Sequence, residues 1–203
     1  MTRINMTQEE FHSAKEYILF EDGENVSKIY IGPSEYENYD DKTRQFLYDF
    51  ICKQAIFPVF LTFEPYTDVT EEIESTLKKG YIQYTLRFES KKRKSFPVFH
   101  VVINNPYSLK LVLEETFWIA SSNQFYALSF PNKIRYKLAI RRGIFGGKKP
   151  YMVPCINMRE NSTIINIWFD GQGFNIYTND SRYSTIEMLT HHIPKGTIID
   201  NNQ

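Results

Sequence analysis

The 203-residue chain has two cysteines, Cys52 and Cys155, only four histidines, and no acidic residue between Glu115 and Glu160. Each scarcity excludes something. Two cysteines far apart and outside any CxxC pattern are not a disulfide framework. His12, His100, His191 and His192 show no HxH, HxxxH or HExxH spacing, and neither cysteine lies near one of them in sequence, so no zinc pattern is present. The adjacent His191 and His192 point about 100° apart on a helix and cannot act as i,i+4 ligands. No window approaches 18 uncharged apolar residues, which argues against a membrane-spanning helix. The first twenty residues hold Glu9, Glu10 and Glu16 and no continuous apolar run, unlike a signal peptide. These absences lead to the expectation of a soluble cytoplasmic protein with no cofactor and no metal.

Recognisable catalytic patterns are also missing. There is no GxSxG nucleophile elbow. Cys52 falls in an amphipathic helical pattern and Cys155 in a strand pattern, where both read as small buried hydrophobes. The carboxylates Glu64, Asp68, Glu71, Glu72 and Glu74 read as a solvated face that also favours a helix N-terminus. In IRRGIFGGKKP (140–150), Gly143, Gly146 and Gly147 precede Lys148-Lys149-Pro150, but the spacing is not GxxxxGK[ST] and a strand follows, so a phosphate-cradling P-loop is not indicated. KIYIGPSEY (28–36) is similar to the second half of the GIY-YIG nuclease motif. The first half is absent, with Lys15-Glu16-Tyr17 standing in its place, and that family is not indicated.

What the chain does have is segregated charge. Net charge is zero, yet residues 1–75 hold 16 acids and 6 bases, residues 76–159 hold 3 acids and 16 bases, and residues 160–203 hold 5 acids and 2 bases. Segregation of this kind implies either that the two poles face each other in the fold or that the basic part meets an anionic partner.

The periodicities predict helices over 7–19, opened by a Thr7-Gln8-Glu9-Glu10 capping box, over 40–55, from Asp68 to Lys79 with Gly80 as the C′ residue, from Asn105-Pro106 to about Ser121, and from Ser184 to His192. Strands are predicted at 26–31, 57–63, 81–88, 96–103, 123–130, 133–141, 151–158, 163–169 and 174–179, several joined as hairpins. The repeated FPVF at 57–60 and 96–99 reads as two similar buried strands, not a duplication. Helices mixed with strands early and a run of antiparallel strands late predict an α+β fold, with an extensive antiparallel sheet of about eight or nine strands and four or five helices. No Gly/Ser/Pro-rich linker divides it, so one domain over 1–203 is expected. The alternative is an acidic half (1–80) and a basic, β-rich half (81–203).

Two surfaces stand out. The strand over 133–141 alternates Ile134, Tyr136, Leu138 and Ile140 with Lys133, Arg135, Lys137 and Arg141, giving it a basic outer face. With Arg142, Lys148 and Lys149, and with the tip Lys91-Lys92-Arg93-Lys94 of the preceding hairpin, it forms a candidate anion or nucleic-acid surface, with Phe145 and Tyr151 as stacking aromatics. Glu35, Glu37, Asp40 and Asp41 form an acidic pole suited to a basic protein partner. The function expected is non-catalytic binding of another protein, of the immunity, antitoxin or accessory-regulator type. Nucleic-acid binding through 91–94 and 133–149 is the alternative, signalled by both segments lying on one face. An unrecognised enzyme is the third reading, signalled by His100 or His191 gathered with carboxylates in a deep pocket.

Overall fold

The computed structural model describes every residue except Met1, Glu24, Tyr36, Lys92, Arg93, 143–147, Glu160 and 201–203. Its strands are β1 (Arg3–Glu9), β2 (Leu19–Glu21), β3 (Ser27–Pro33), β4 (Val59–Phe63), β5 (Gln83–Lys91), β6 (Lys94–Ile103), β7 (Tyr126–Phe130), β8 (Arg135–Arg142), β9 (Lys148–Asn157), β10 (Thr163–Ile167), β11 (Phe174–Thr178) and β12 (Ile198–Ile199). The helices are α1 (Tyr39–Gln54), α2 (Thr70–Lys79), α3 (Pro106–Thr116), α4 (Trp118–Ser121) and α5 (Ile186–Thr190). This is an α+β fold.

Nine strands form one sheet in the order β12-β1-β3-β11-β10-β7-β4-β6-β5, and β2-β9-β8 form a second, smaller one. Every pairing in the large sheet is antiparallel except β1 with β12. β4 lies between β6 and β7, so strands from before and after residue 80 share the sheet.

Alternation along the strands gives the large sheet two unlike faces. One face is apolar and receives the helices. Phe46, Leu47, Phe50 and Ile51 of α1, Ile73 and Leu77 of α2, and Leu109, Val112 and Leu113 of α3 pack there on Ile29, Ile31, Leu61, Phe63, Phe99, Leu128, Ile165 and Phe174. Of the repeated FPVF segments, the second lies within β6 and only Val59 and Phe60 of the first lie in β4, the strand paired beside it. The opposite face meets the small sheet through a second cluster, in which Ile18, Phe20, Ile134, Ile156 and Met158 pack on Ala127, Ile164 and Tyr177.

Several local expectations change. The helix predicted over 7–19 does not form: Arg3–Glu9 is strand β1, paired with β3 from Ile4–Pro33 to Glu9–Lys28. The capping box was a local signal, and the open edge of β3 outcompeted it by offering a whole ladder of backbone partners. Phe11 and Ile18 still reach the second cluster, from a non-helical segment. Gly80 ends α2 in right-handed geometry, and Tyr81 takes the left-handed conformation instead (φ 54°). Thr185, not Ser184, caps α5, accepting from the Met188 N–H.

Candidate functional site

Strand register places a polar row across the face opposite the helices. Thr7, Tyr30, Asn175, Asn166, Ala127, Thr62, His100 and Thr85 stand directly opposite one another on consecutive strands from β1 to β5. The small sheet and segment 10–18 cover part of this row. Between them opens a cleft of about 720 Å3, within the range of small-molecule sites. Asn166 lies on its floor; Tyr17, Phe125, Trp168 and Phe169 line its walls.

The rim is locally built. Asp170 (φ 54°) and Gly171 (φ 76°) take left-handed backbone in the β10–β11 turn, which carries Trp168 and Phe169 just before them. A Cβ at Gly171 would stand 2.9 Å from Ser121 Oγ, so glycine is required both by conformation and by space. Asn123 Nδ2 donates to Asp170 Oδ1 (2.5 Å) and Asp170 N–H donates to Asn123 Oδ1 (2.9 Å), tying this turn to the one before β7. Trp168 and Phe169 meet edge to face at 5.4 Å, and both remain exposed.

Beneath the cleft Lys28, 9% exposed, is held by Glu9 (3.0 Å) and Glu16 (2.9 Å), and Tyr177 donates its hydroxyl to Glu16 (2.6 Å). Burial opposes the Lys28 charge, but the hydrogen bonds to Glu16 and Glu9 outweigh it and keep the ammonium above its ordinary range. Burial, reinforced by Glu16, raises the Tyr177 phenol, so it stays a donor. Nearby, Glu64 accepts from the hydroxyls of Tyr17 (3.3 Å) and Tyr136. Asn175 is fully buried, and among the described residues neither its amide nitrogen nor its amide oxygen has a partner. Such a group costs about 1–3 kcal/mol.

His100 lines a second cavity of about 340 Å3 with Glu89, Arg87 and Lys133. Its Nδ1 lies 3.1 Å from the Thr62 hydroxyl, and burial, with Arg87 and Lys133 nearby, lowers its pKa to about 4. At neutral pH it is an uncharged hydrogen-bonding group. His191 is exposed, just past α5. Neither thiol is activated: burial raises Cys52, and burial with Glu21 beside it pushes Cys155 up to about 12. Among the described residues no group of three His, Cys, Asp or Glu side chains is placed to hold a metal ion.

The basic segments fall on two hairpins. Lys91 and Lys94 pair at the end of β5–β6, with Lys92 and Arg93 outside the described residues. Arg141 and Arg142 pair with Lys149 and Lys148 at the end of β8–β9; the loop 143–147, including Phe145, is outside the described residues. The two hairpins are neighbours: β9 packs beside β5, and the Phe96 and Tyr136 rings lie 6.1 Å apart. Arg135 is exposed, whereas Lys137 pairs with Glu21 and Arg159 with Asp22 (2.8 Å), so acids of the N-terminal third do meet the basic segment here. Tyr151 is half-buried. The acidic pole is internally compensated in part: Glu35 pairs with Lys42 (2.6 Å) and Asp41 with Arg44 (2.8 Å), Asp40 and Asp41 start α1, and Glu37 is exposed.

The largest departure lies on the other face of β8. The alternation of Ile134, Tyr136, Leu138 and Ile140 continues, but the core does not. Ile134 is buried and Tyr136 half-buried, while Leu138 is 70% and Ile140 73% exposed. Their partners in register are Met152 and Pro150, so the arm carries an apolar stripe into solvent. β8 is also an edge strand of its sheet. The cleft, too, was missed in sequence, because its residues come from six separate segments.

An α+β fold with a polar-floored cleft and a projecting arm is what the chain presents for comparison. It matches no protein-family model, and no curated protein or solved structure is significantly similar to it. No described helix is long and apolar enough to cross a membrane.

Proposed function

We propose that this is a non-catalytic binding protein that engages another protein through the β8–β9 arm. The observation that carries the reading is the pair Leu138 and Ile140, exposed side by side on an edge strand. Apolar side chains at the centre of a patch with a charged rim are how protein interfaces gain affinity and register. The rim is basic in sequence, with Arg141, Arg142, Lys148 and Lys149 closing the arm, so the matching partner surface is acidic around an apolar seat. This reading places the basic arm, rather than Glu35, Glu37, Asp40 and Asp41, at the centre of the interface. It keeps the protein in the cytoplasm, where its two free thiols stay reduced.

A photo-crosslinking residue at Ile140 tests it in extract of the source organism. The expected product is a discrete adduct with an acidic protein, weakened by salt and lost in Leu138→Asp. The same adducts with and without Leu138→Asp would overturn the reading.

The nearness of the two basic hairpins favours nucleic-acid binding as the second reading. Titration of duplex and single-stranded oligonucleotides over a range of salt separates the two. Binding that weakens with log salt and collapses in Arg141→Glu/Arg142→Glu supports the second reading, and no binding at low salt removes it.

A further inference from the structure

The cleft is independent of the arm and has its own chemistry. Its rim is aromatic: Tyr17, Trp168 and Phe169 are all exposed around it. Large exposed rings fixed by a hydrogen-bonded turn form a ready stacking platform. Its floor is amide. Asn166 of β10 lines it and is part-exposed there. An amide presents a donor and an acceptor in one plane, the complement of a ring edge carrying N–H beside C=O or ring nitrogen. Its charge is biased to the acidic side. Glu10, Glu16 and Glu64 line it against Lys15 and Lys28, and Lys28 is already held between Glu9 and Glu16. A phosphate entering there would meet more carboxylate than free ammonium.

We propose that this cleft binds an unphosphorylated planar nitrogen heterocycle of the nucleobase or nucleoside type. The ring stacks against Trp168 and Phe169, and its polar edge faces the Asn166 amide.

Isothermal titration calorimetry of the full chain tests this with adenosine, guanosine, cytidine and uridine, each beside its 5′-monophosphate, and with a dinucleoside monophosphate to distinguish a free nucleoside from a base within a strand. At least one nucleoside is expected to bind saturably at one site, with its monophosphate weaker by about tenfold or more. Trp168→Ala is expected to weaken the nucleoside by about tenfold or more. Phe169→Ser, at a more exposed ring, is the second rim variant should Trp168→Ala lower the unfolding temperature. The proposal is overturned if none of the four nucleosides binds saturably in the millimolar range, if phosphorylated forms bind as tightly, or if the folded rim variants keep full affinity.

Discussion

The two faces of the nine-stranded sheet are built from the same strands and obey opposite rules. Toward the helices the strands present Ile29, Leu61, Phe99, Leu128, Ile165 and Phe174, and that face is closed by apolar packing. Toward the small sheet the same strands present Lys28, Thr62, His100, Asn166, Asn175 and Tyr177, with cavities over all of these but the buried Asn175. The first arrangement maximises stability. The second spends stability on polar groups, which is the expected signature of a surface kept for a ligand or partner.

The contrast can be broken from either side. On the helix face Phe50, fully buried against Phe46, Phe174 and Tyr183, is the reference. Phe50→Ala is expected to cost about 3–5 kcal/mol in denaturant unfolding, the transfer term plus an unfilled cavity. On the polar face Lys28→Met leaves Glu9 and Glu16 without their shared cation and should cost about 3 kcal/mol, although it adds apolar volume. If Lys28→Met proves neutral, the polar face is packed like the other and the contrast fails.

His100 sharpens it through pH. Its folded pKa of about 4 lies below the ordinary 6.5, so below pH 6.5 the unfolded chain takes a proton that the folded chain refuses. Stability is therefore intact above about pH 6.5 and falls between there and pH 4, by about 2–3 kcal/mol in all. His100→Gln keeps a hydrogen-bonding group beside Thr62 but cannot titrate. Unfolding free energies at pH 7 and pH 4.5 should show the variant losing about 2 kcal/mol less than the wild type across that interval. Parallel pH profiles would exclude His100 as the source.

Asn175→Leu has the opposite sign. Removing the orphaned amide for an apolar side chain of similar size should stabilise by about 1 kcal/mol and raise the unfolding temperature by about 2–4 °C. A drop in stability would mean that the amide is satisfied in solution.

Much of the helix face was legible in the sequence, because helix period and strand alternation both encode one-sided burial. Phe46, Phe50, Leu109, Val112 and Leu113 could be read directly from spacing. The polar face was not. Asn166 and Asn175 look like ordinary strand residues until register sets them side by side, and a cleft assembled from segments 10–18, 120–125 and 166–169 leaves no local pattern. The error over residues 7–19 has the same origin: capping and helical spacing are local, whereas the edge of β3 that captured Arg3–Glu9 is not. On β8 the alternation was read correctly, but alternation says which residues share a face and not whether anything covers it.

That uncovered face gives the smallest expected effect on folding. Leu138 and Ile140 bury little, so Leu138→Ser and Ile140→Ser should each change the unfolding free energy by no more than about 0.5 kcal/mol, within the range of ordinary surface substitutions. Ile134→Ser, two and three turns of alternation back on the same strand face, replaces a side chain 1% exposed and should cost several times more. One alternating stripe, running from just before β8 along it, thus passes from structural to spare between Ile134 and Leu138, with Tyr136 at the border. If Leu138→Ser and Ile140→Ser are silent in folding yet abolish the crosslinked adduct, the outer half of the stripe is there for the partner. If they destabilise as Ile134→Ser does, the arm folds back onto the body in solution and the interface must be sought elsewhere.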